Sequence, residues 1–291
     1  MREINIVGHE GESGFERDMF DHLYHGVKLN EYSYDDDPSK IDRPVLEYSH
    51  MGFGIPDEVA NFAEKLPNGY LIYHKSNEFP YQQYPQFIQQ KANLYKDAIH
   101  VFRPNWMPSF DLPNVTFMPL FWGKGHGEMR EPTKETKKFK TAMIGELKSD
   151  RAEVLEVMKK MEDHFHYFNK GWLSQDMITP EQSMDVYANS VICPCPMGNV
   201  HPECNRFAEI LNSGGIPVLK EYWNRDWHCR IYGFDSPIPF VKSWDELPEV
   251  YNKVIKEGVY NFAMRLHQWW YAKRIEIRDN FQNILLEKIN V

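Results

Sequence analysis

Cysteine is scarce in this sequence, with four in 291 residues. So few cannot staple a chain of this length into a disulfide framework, and with no secretion signal the thiols are expected to be reduced. Positive charge is also short. Lysine and arginine total 33 against 42 aspartates and glutamates, a formal net charge of −9. That balance argues against duplex nucleic acid as a partner, because a phosphate backbone needs a concentrated basic surface. Any bound anion must be held by a local site and not by the overall field. Long apolar runs are missing too. The opening "MREINIVGHEGESGFERDMF" turns polar after Val7, and nothing approaches the ~20 apolar residues that span a bilayer. The expectation is a soluble, cytoplasmic protein without membrane insertion. No repeat of about 20–50 residues recurs, which excludes a solenoid or propeller. The glycines of "GHEGESG" miss the dinucleotide fingerprint G-x-G-x-x-G, which disfavours a nicotinamide enzyme.

What is present is a folded composition, 42% hydrophobic and 14% aromatic, arranged as alternating strands and helices. "EINIV" reads as a strand, followed by a glycine-rich loop and a helix starting near Phe15. "RPVLEYSH", "GYLIYHK", "AIHVFRP" and "NVTFMPLFW" read as further strands. "DEVANFAEKL" and "YPQFIQQKANLYKD" carry apolar residues at helical spacing. From Gly123 to Lys138, "GKGHGEMREPTKETKK" loses apolar periodicity and reads as a linker. A second series follows: strand "FKTAMIGEL", a helix from Arg151 with Asp150 and Glu153 as a capping box, strand "HFHYFNKG", helix "TPEQSMDVYANS", strand "VICPCP", helix "ECNRFAEILNS", and strand "IPVL". The tail from about Leu247 to Leu286 reads as helical. This is α/β throughout: two doubly wound, Rossmann-like domains with a cleft between them. The expected boundaries are 1–130 for an N-terminal domain, 139–265 for a C-terminal domain and 266–291 for a final helix.

Residues 190–219, "SVICPCPMGNVHPECNRFAEILNSGGIPVL", concentrate the chemistry. Cys193, Cys195, His201 and Cys204 offer four soft ligands, the number tetrahedral zinc takes. The spacing argues against it, since only one residue separates the first pair, between prolines, and small hydrophobes at a strand end explain them. On the following helix Arg206 and Glu209 share a face one turn apart, while Phe207, Ile210 and Leu211 make an apolar stripe. The helix N-terminus and Arg206 suit a diphosphate, and Glu209 suits vicinal hydroxyls. A solvated intrahelical Arg–Glu pair would have the same spacing.

The order of elements resembles the exostosin-like glycosyltransferases (glycosyltransferase family 47 and relatives): a strand ending in Cys-Pro, a glycine turn, Arg-x-x-Glu on a helix, then Gly-x-x-Pro-Val. The matching residues are Cys195, Pro196, Gly198, Arg206, Glu209, Gly214, Gly215, Pro217 and Val218. "MIGELKSDRAEVLEVM" is similar to that family's C-terminal domain opening through Gly145 and Arg151. The small size and missing anchor resemble the exostosin-like proteins of large algal viruses. The resemblance covers roughly residues 140–245. It implies a GT-B architecture, with an N-terminal acceptor domain, a C-terminal donor domain and a last helix crossing back. It also implies inverting, metal-independent transfer from a UDP-sugar, with xylose or another pentose as donor sugar, to a glycan or glycoprotein acceptor, and no cofactor. The donor set is Arg206, Glu209, Gly198, Asn199, Asn205, Arg151, Gly145 and Lys170. A non-catalytic nucleotide- or carbohydrate-binding protein of the same fold is the alternative.

An inverting transfer needs a general base. His9, Glu10 and Glu12, after the first strand, are the candidates. His50, His74 and Glu78, in loops after later strands, are candidates for the acceptor pocket. "YDDDP" resembles the acidic metal motif of the other glycosyltransferase architecture, but a solvated turn explains it. Trp223, Trp227, Trp269, Trp270 and Tyr271 read as packing, with sugar stacking as the alternative.

Overall fold

The computed structural model describes residues 2–8, 17–48, 56–74, 85–171, 177–198 and 201–290. The chain divides into two compact units, Met1–Leu120 with Ile275–Val291, and Phe121–Arg274.

The apolar runs of the first unit become parallel strands β1 (Arg2–Val7), β2 (Val27–Tyr32), β3 (Val45–Tyr48), β4 (Leu71–His74), β5 (His100–Arg103) and β6 (Val115–Phe117), in the order β2-β1-β3-β4-β5-β6. Parallel pairing requires crossovers, which α1 (Arg17–Leu23), α2 (Asp57–Ala63) and α3 (Pro85–Asp97) supply. Every residue of β3, β4 and β5 is buried, as expected for strands covered on both faces. On one face Leu46, Ile72 and Val101 pack with Val59 and Phe62 of α2 and Leu94 of α3. The edge strand β2 was not expected from the sequence. Its "VKLNEY" has apolar residues at Val27, Leu29 and Tyr32, and no residue of the strand is fully buried.

The last helix of the chain, α9 (Val259–Ile289), closes the other face. Phe281 lies 4.6 Å from Phe102, 5.2 Å from Tyr24 and 5.8 Å from Tyr73 by ring centroids. Burying one such ring contributes about 2–3 kcal/mol. Arg43 Nη1 donates to Ile289 O at 2.8 Å, and Gln282 Nε2 to Leu23 O at 2.8 Å, fixing the helix end. "YDDDP" forms a hydrogen-bonded turn: Asp36 accepts from Ser33 N at 2.7 Å, and Asp37 caps Pro38–Lys40.

The second unit contains β7 (Phe139–Glu146), β8 (His164–Asn169), β9 (Ser190–Cys195), β10 (Pro217–Lys220) and β11 (Phe240–Val241), in the order β11-β10-β9-β7-β8. Its helices are α4 (Arg151–Lys160), α5 (Pro180–Ala188), α6 (Asn205–Asn212), α7 (Asp226–Tyr232) and α8 (Leu247–Glu257). Thr179 and Gln182 form a capping box on α5. The expected box at Asp150 does not form. Asp150 has φ −84° and ψ 9°, outside the extended backbone an N-cap uses. Its Oδ2 accepts instead from the Tyr222 hydroxyl and from Trp244 Nε1, the latter at 2.6 Å.

Two further expectations change. The segment 123–138 is not a free linker. Asn212 Nδ2 donates to His126 O at 2.6 Å, Arg130 N to Asn212 O at 2.7 Å, and Arg130 pairs with Asp185 at 2.6 Å. Helix α6 thus supplies to this strap the backbone partners that a regular element would supply internally. The division between units therefore falls at Leu120, ten residues before the expected 130. The final helix divides at Arg274 and not at residue 266, because Trp270 Nε1 donates to Asn212 Oδ1 at 2.7 Å and Arg274 stacks 4.0 Å over Trp122. Gly258, at φ 93°, separates α8 from α9.

Candidate functional site

In an open parallel sheet a ligand crevice forms where successive strands leave on opposite sides of a common neighbour. In the second unit that point lies between β7 and β9, since β8 flanks β7 on its far side. Six of the eight residues expected for a donor site lie on the elements that leave this end: Gly145 at the end of β7, Arg151 opening α4, Gly198 in the turn after β9, and Asn205, Arg206 and Glu209 on α6.

Helix α6 is placed by its apolar stripe, with Phe207, Ile210 and Leu211 buried against the sheet. Arg206 is consequently drawn inward. Its Nε donates to Ile144 O at 2.7 Å and its Nη1 to Cys204 Sγ at 3.7 Å. Gly145 makes this possible. It has φ +146°, and a Cβ there would fall 2.4 Å from Arg206 Nη2, so only glycine lets the guanidinium lie flat on the β7 backbone. Arg151 lies alongside, donating from Nη1 to Glu146 O at 2.6 Å and from Nη2 to Met197 O at 3.3 Å. Burial, and then the neighbouring Arg206, push the Arg151 pKa down to about 10. Burial also opposes the charge of Arg206, but Cys204, Tyr187, Cys195 and Glu209 outweigh it and raise its pKa. Two buried guanidiniums side by side, bonded to backbone carbonyls and a thiol, leave positive charge that an anion would neutralise.

Glu209 faces the strap. Gly123 N donates to its Oε1 at 3.4 Å, and Asn205 Nδ2 anchors the same strap through Phe121 O at 2.8 Å. Arg206 and Glu209 therefore do not form the intrahelical pair that their spacing allows. Gly198 N donates to His201 O at 2.9 Å, and Ser149 Oγ donates to Gly198 O at 3.4 Å, which ties the glycine turn to α4. Lys170 is exposed just beyond β8.

The zinc ligands do not converge. Cys193 contacts Tyr187 O at 3.9 Å, Cys195 and Cys204 lie 3.4 Å apart by their sulfurs, and His201 Nδ1 accepts from Glu203 N at 3.0 Å. Among the described residues no group of three or more His, Cys, Asp or Glu is disposed to hold a metal ion. The hydrogen bond with Cys195, and then Arg206 and Arg151, hold the Cys204 thiol below the ordinary cysteine range, while burial raises Cys195.

Of the remaining candidates, His9, Glu10, Glu12, His50, Glu78 and Asn199 lie outside the described residues. His74 is fully buried, its Nδ1 2.7 Å from Tyr95 Oη and its ring stacked 4.6 Å from Tyr48. A ring so enclosed supports the strand end from beneath and offers no surface to a ligand. Trp227 and Trp270 are core residues, whereas Trp223 and Tyr271 are exposed. Sequence reasoning missed the Asp150–Tyr222–Trp244 knot and His126. An aspartate before a helix signals a cap, and a histidine among glycines and charges signals a loop, so neither announced its partner.

The two parallel α/β units define a GT-B fold, and solved structures share it. Anabaena HepE in complex with UDP has a TM-score of 0.57 at 9% identity and covers 99% of this chain and 100% of that one. An α1,3-fucosyltransferase has a TM-score of 0.55 at 10% identity, covering 98% of this chain and 90% of that one. At the family level, residues 126–290 match the RXYLT1 C-terminal domain. That is more than half of the chain, which belongs to this family, as the exostosin-like resemblance led one to expect. Ribitol-5-phosphate xylosyltransferase 1 of Danio rerio is 27% identical over 154 residues, 48% of this chain and 35% of that protein. Its Homo sapiens counterpart is 30% identical over 116 residues, 35% of this chain and 26% of that protein. The matched region thus spans about a quarter to a third of the length of these curated relatives. Among the described residues no helix is long and apolar enough to cross a membrane.

Proposed function

We propose that the chain is a glycosyltransferase that moves a sugar, with xylose the leading choice, from a UDP-sugar to a glycan acceptor. The observation that carries this reading is the Gly145–Arg206–Arg151 cluster at the β7/β9 crevice with Glu209 one turn deeper. The arginines stabilise the diphosphate as it leaves with its bonding electrons, and Glu209 accepts hydrogen bonds from the ribose hydroxyls. UDP in the Anabaena neighbour and the xylosyltransferase relatives support the same donor class.

Transfer is inverting and independent of metal in this proposal, with a base from His9, Glu10 or Glu12 taking the acceptor proton. A cavity of about 730 Å³ in the first unit supports an acceptor position. It lies where Gly8 ends β1 and Tyr48 ends β3, and Asp36, Glu58 and Lys65 are among its lining residues. A reducing, cytoplasmic setting fits the four free cysteines.

Calorimetry with UDP tests the donor site, and consumption of UDP-xylose with added acceptor glycans tests transfer. Arg206→Ala and Glu209→Ala should each weaken UDP binding at least ~10-fold, the scale of a lost charge-assisted contact, in folded protein. Unchanged affinity in both variants would sink the donor assignment. Binding without turnover would leave a nucleotide-binding protein of the same fold.

A further inference from the structure

Glu209 has a neighbour, His126, that no sequence pattern announces. His126 is fixed on three sides: its N donates to Gly123 O at 3.1 Å, its O accepts from Asn212 Nδ2 at 2.6 Å, and its Nε2 lies 2.8 Å from Ser183 Oγ. The Ser183 hydroxyl proton is already committed to Pro180 O at 2.8 Å. Ser183 Oγ must therefore accept from the ring, which puts the ring proton on Nε2. Nδ1 is then the ring atom left over. It is buried, has no hydrogen-bond partner among the described residues, and stands 3.9 Å from Glu209 Oε1.

We infer that His126 is a positioning residue for Glu209, with Ser183 setting its tautomer. In the neutral ring Nδ1 presents a lone pair to the carboxylate. The ring acts as a wall behind Glu209 and not as a donor that would compete for it. Together with the Gly123 amide it restricts a side chain with three rotatable torsions, while the accepting lone pairs stay available to ligand hydroxyls. Pre-ordering of this kind improves affinity only for ligands that use the ordered group. The inference rests on the donor-site reading and adds to it a specific consequence: His126 supports recognition of the ribose diol, and not of the diphosphate.

The experiment compares calorimetric affinities for UDP and 2′,3′-dideoxy-UDP in the wild type, His126→Ala, His126→Asn, Ser183→Ala and Glu209→Ala. The wild type should favour UDP, and Glu209→Ala should lose that preference. His126→Ala should cut the preference about two- to tenfold, the scale of ordering one rotamer-rich side chain, and leave dideoxy-UDP affinity unchanged. His126→Asn, which removes the ring and offers an amide N–H that competes with ligand hydroxyls for Glu209, should not restore the preference that alanine loses. If the alanine variant does not fold, Ser183→Ala frees the ring without removing it and should lower the preference in the same direction. Equal losses for both nucleotides, or no loss in either His126→Ala or Ser183→Ala, would overturn the role. A wild type that binds UDP but does not distinguish it from the dideoxy analogue would overturn this inference alone. A wild type that binds neither would overturn the donor site with it.

Discussion

Replacing Gly145 by alanine tests whether the arginine cluster depends on a missing side chain. The new Cβ would sit 2.4 Å from Arg206 Nη2 and 3.4 Å from Arg206 Cζ, on a backbone at φ +146°. A guanidinium tip usually swings aside cheaply, but this one is 8% exposed and pinned by its bond to Ile144 O at 2.7 Å. Moving it breaks that bond, at about 1.5–3 kcal/mol for a charged donor. Holding a non-glycine residue at this φ adds about 1–3 kcal/mol. The sum is about 2.5–6 kcal/mol lost from stability, with weaker UDP binding from the displaced arginine. Urea denaturation of the wild type, Gly145→Ala, Arg206→Ala and the double variant measures it. If the clash with Arg206 matters, alanine at 145 costs less in the Arg206→Ala background, and only the backbone part remains. Equal cost in both backgrounds, with UDP affinity intact in Gly145→Ala, would refute the reasoning.

Asp150→Ala should destabilise the second unit by about 2–4 kcal/mol, because Trp244 Nε1 and the Tyr222 hydroxyl both lose their acceptor; denaturation followed by tryptophan fluorescence checks this, and a change under 0.5 kcal/mol would count against it. Stability should also fall on acidification below the ordinary histidine pKa. Burial, and then Arg225, push His228 down to about 3, and burial, then Lys288, push His100 down to about 4. Both pKa values are lowered on folding, so the unfolded chain binds more protons between about pH 6.5 and 3 and the native state loses ground through that window. Denaturation midpoints from pH 7 to 4 should decline, and His228→Gln should flatten the decline; an unchanged slope in that variant would remove His228 as a source.

The alternation of strands and helices was legible because fully buried parallel strands are short apolar runs, and "VLEY", "LIYH" and "VICPC" are such runs. Strand β2 was not, since an edge strand with one solvated face carries half the signal. Helices α5 and α6 were read near their observed ends because Thr179-Pro180 and Gly214-Gly215 mark stops and starts by backbone geometry alone. Arg206 and Glu209 were singled out by their spacing together with the order of elements around them, yet spacing could not say that the arginine turns inward onto β7. That direction depends on Gly145, 61 positions earlier, and on the stripe of Phe207, Ile210 and Leu211 that rotates the helix. His126 was invisible for a similar reason. A strap without periodicity looks like a linker until the side chains of α6 and α9 supply its hydrogen bonds.

Both sheets place their first strand between their second and third, so both have a crevice at the same topological position. The residues there differ in charge. The β1/β3 cavity is lined by Asp35, Asp36 and Glu58 with Lys65 as counterweight, whereas the β7/β9 crevice holds Arg206 and Arg151. On a chain of net charge −9 the overall field repels a nucleotide diphosphate, so attraction must come from fixed charges within a few ångströms. Among the described residues, paired arginines stand at the second crevice, and the first has the single cation Lys65 among carboxylates. The same contrast makes the first crevice unfavourable for a second anionic ligand and suited to neutral hydroxyls, whose protons carboxylates accept. The donor assignment and the proposed glycan acceptor thus rest on one electrostatic argument. In this proposal each crevice selects by the charge of its own rim.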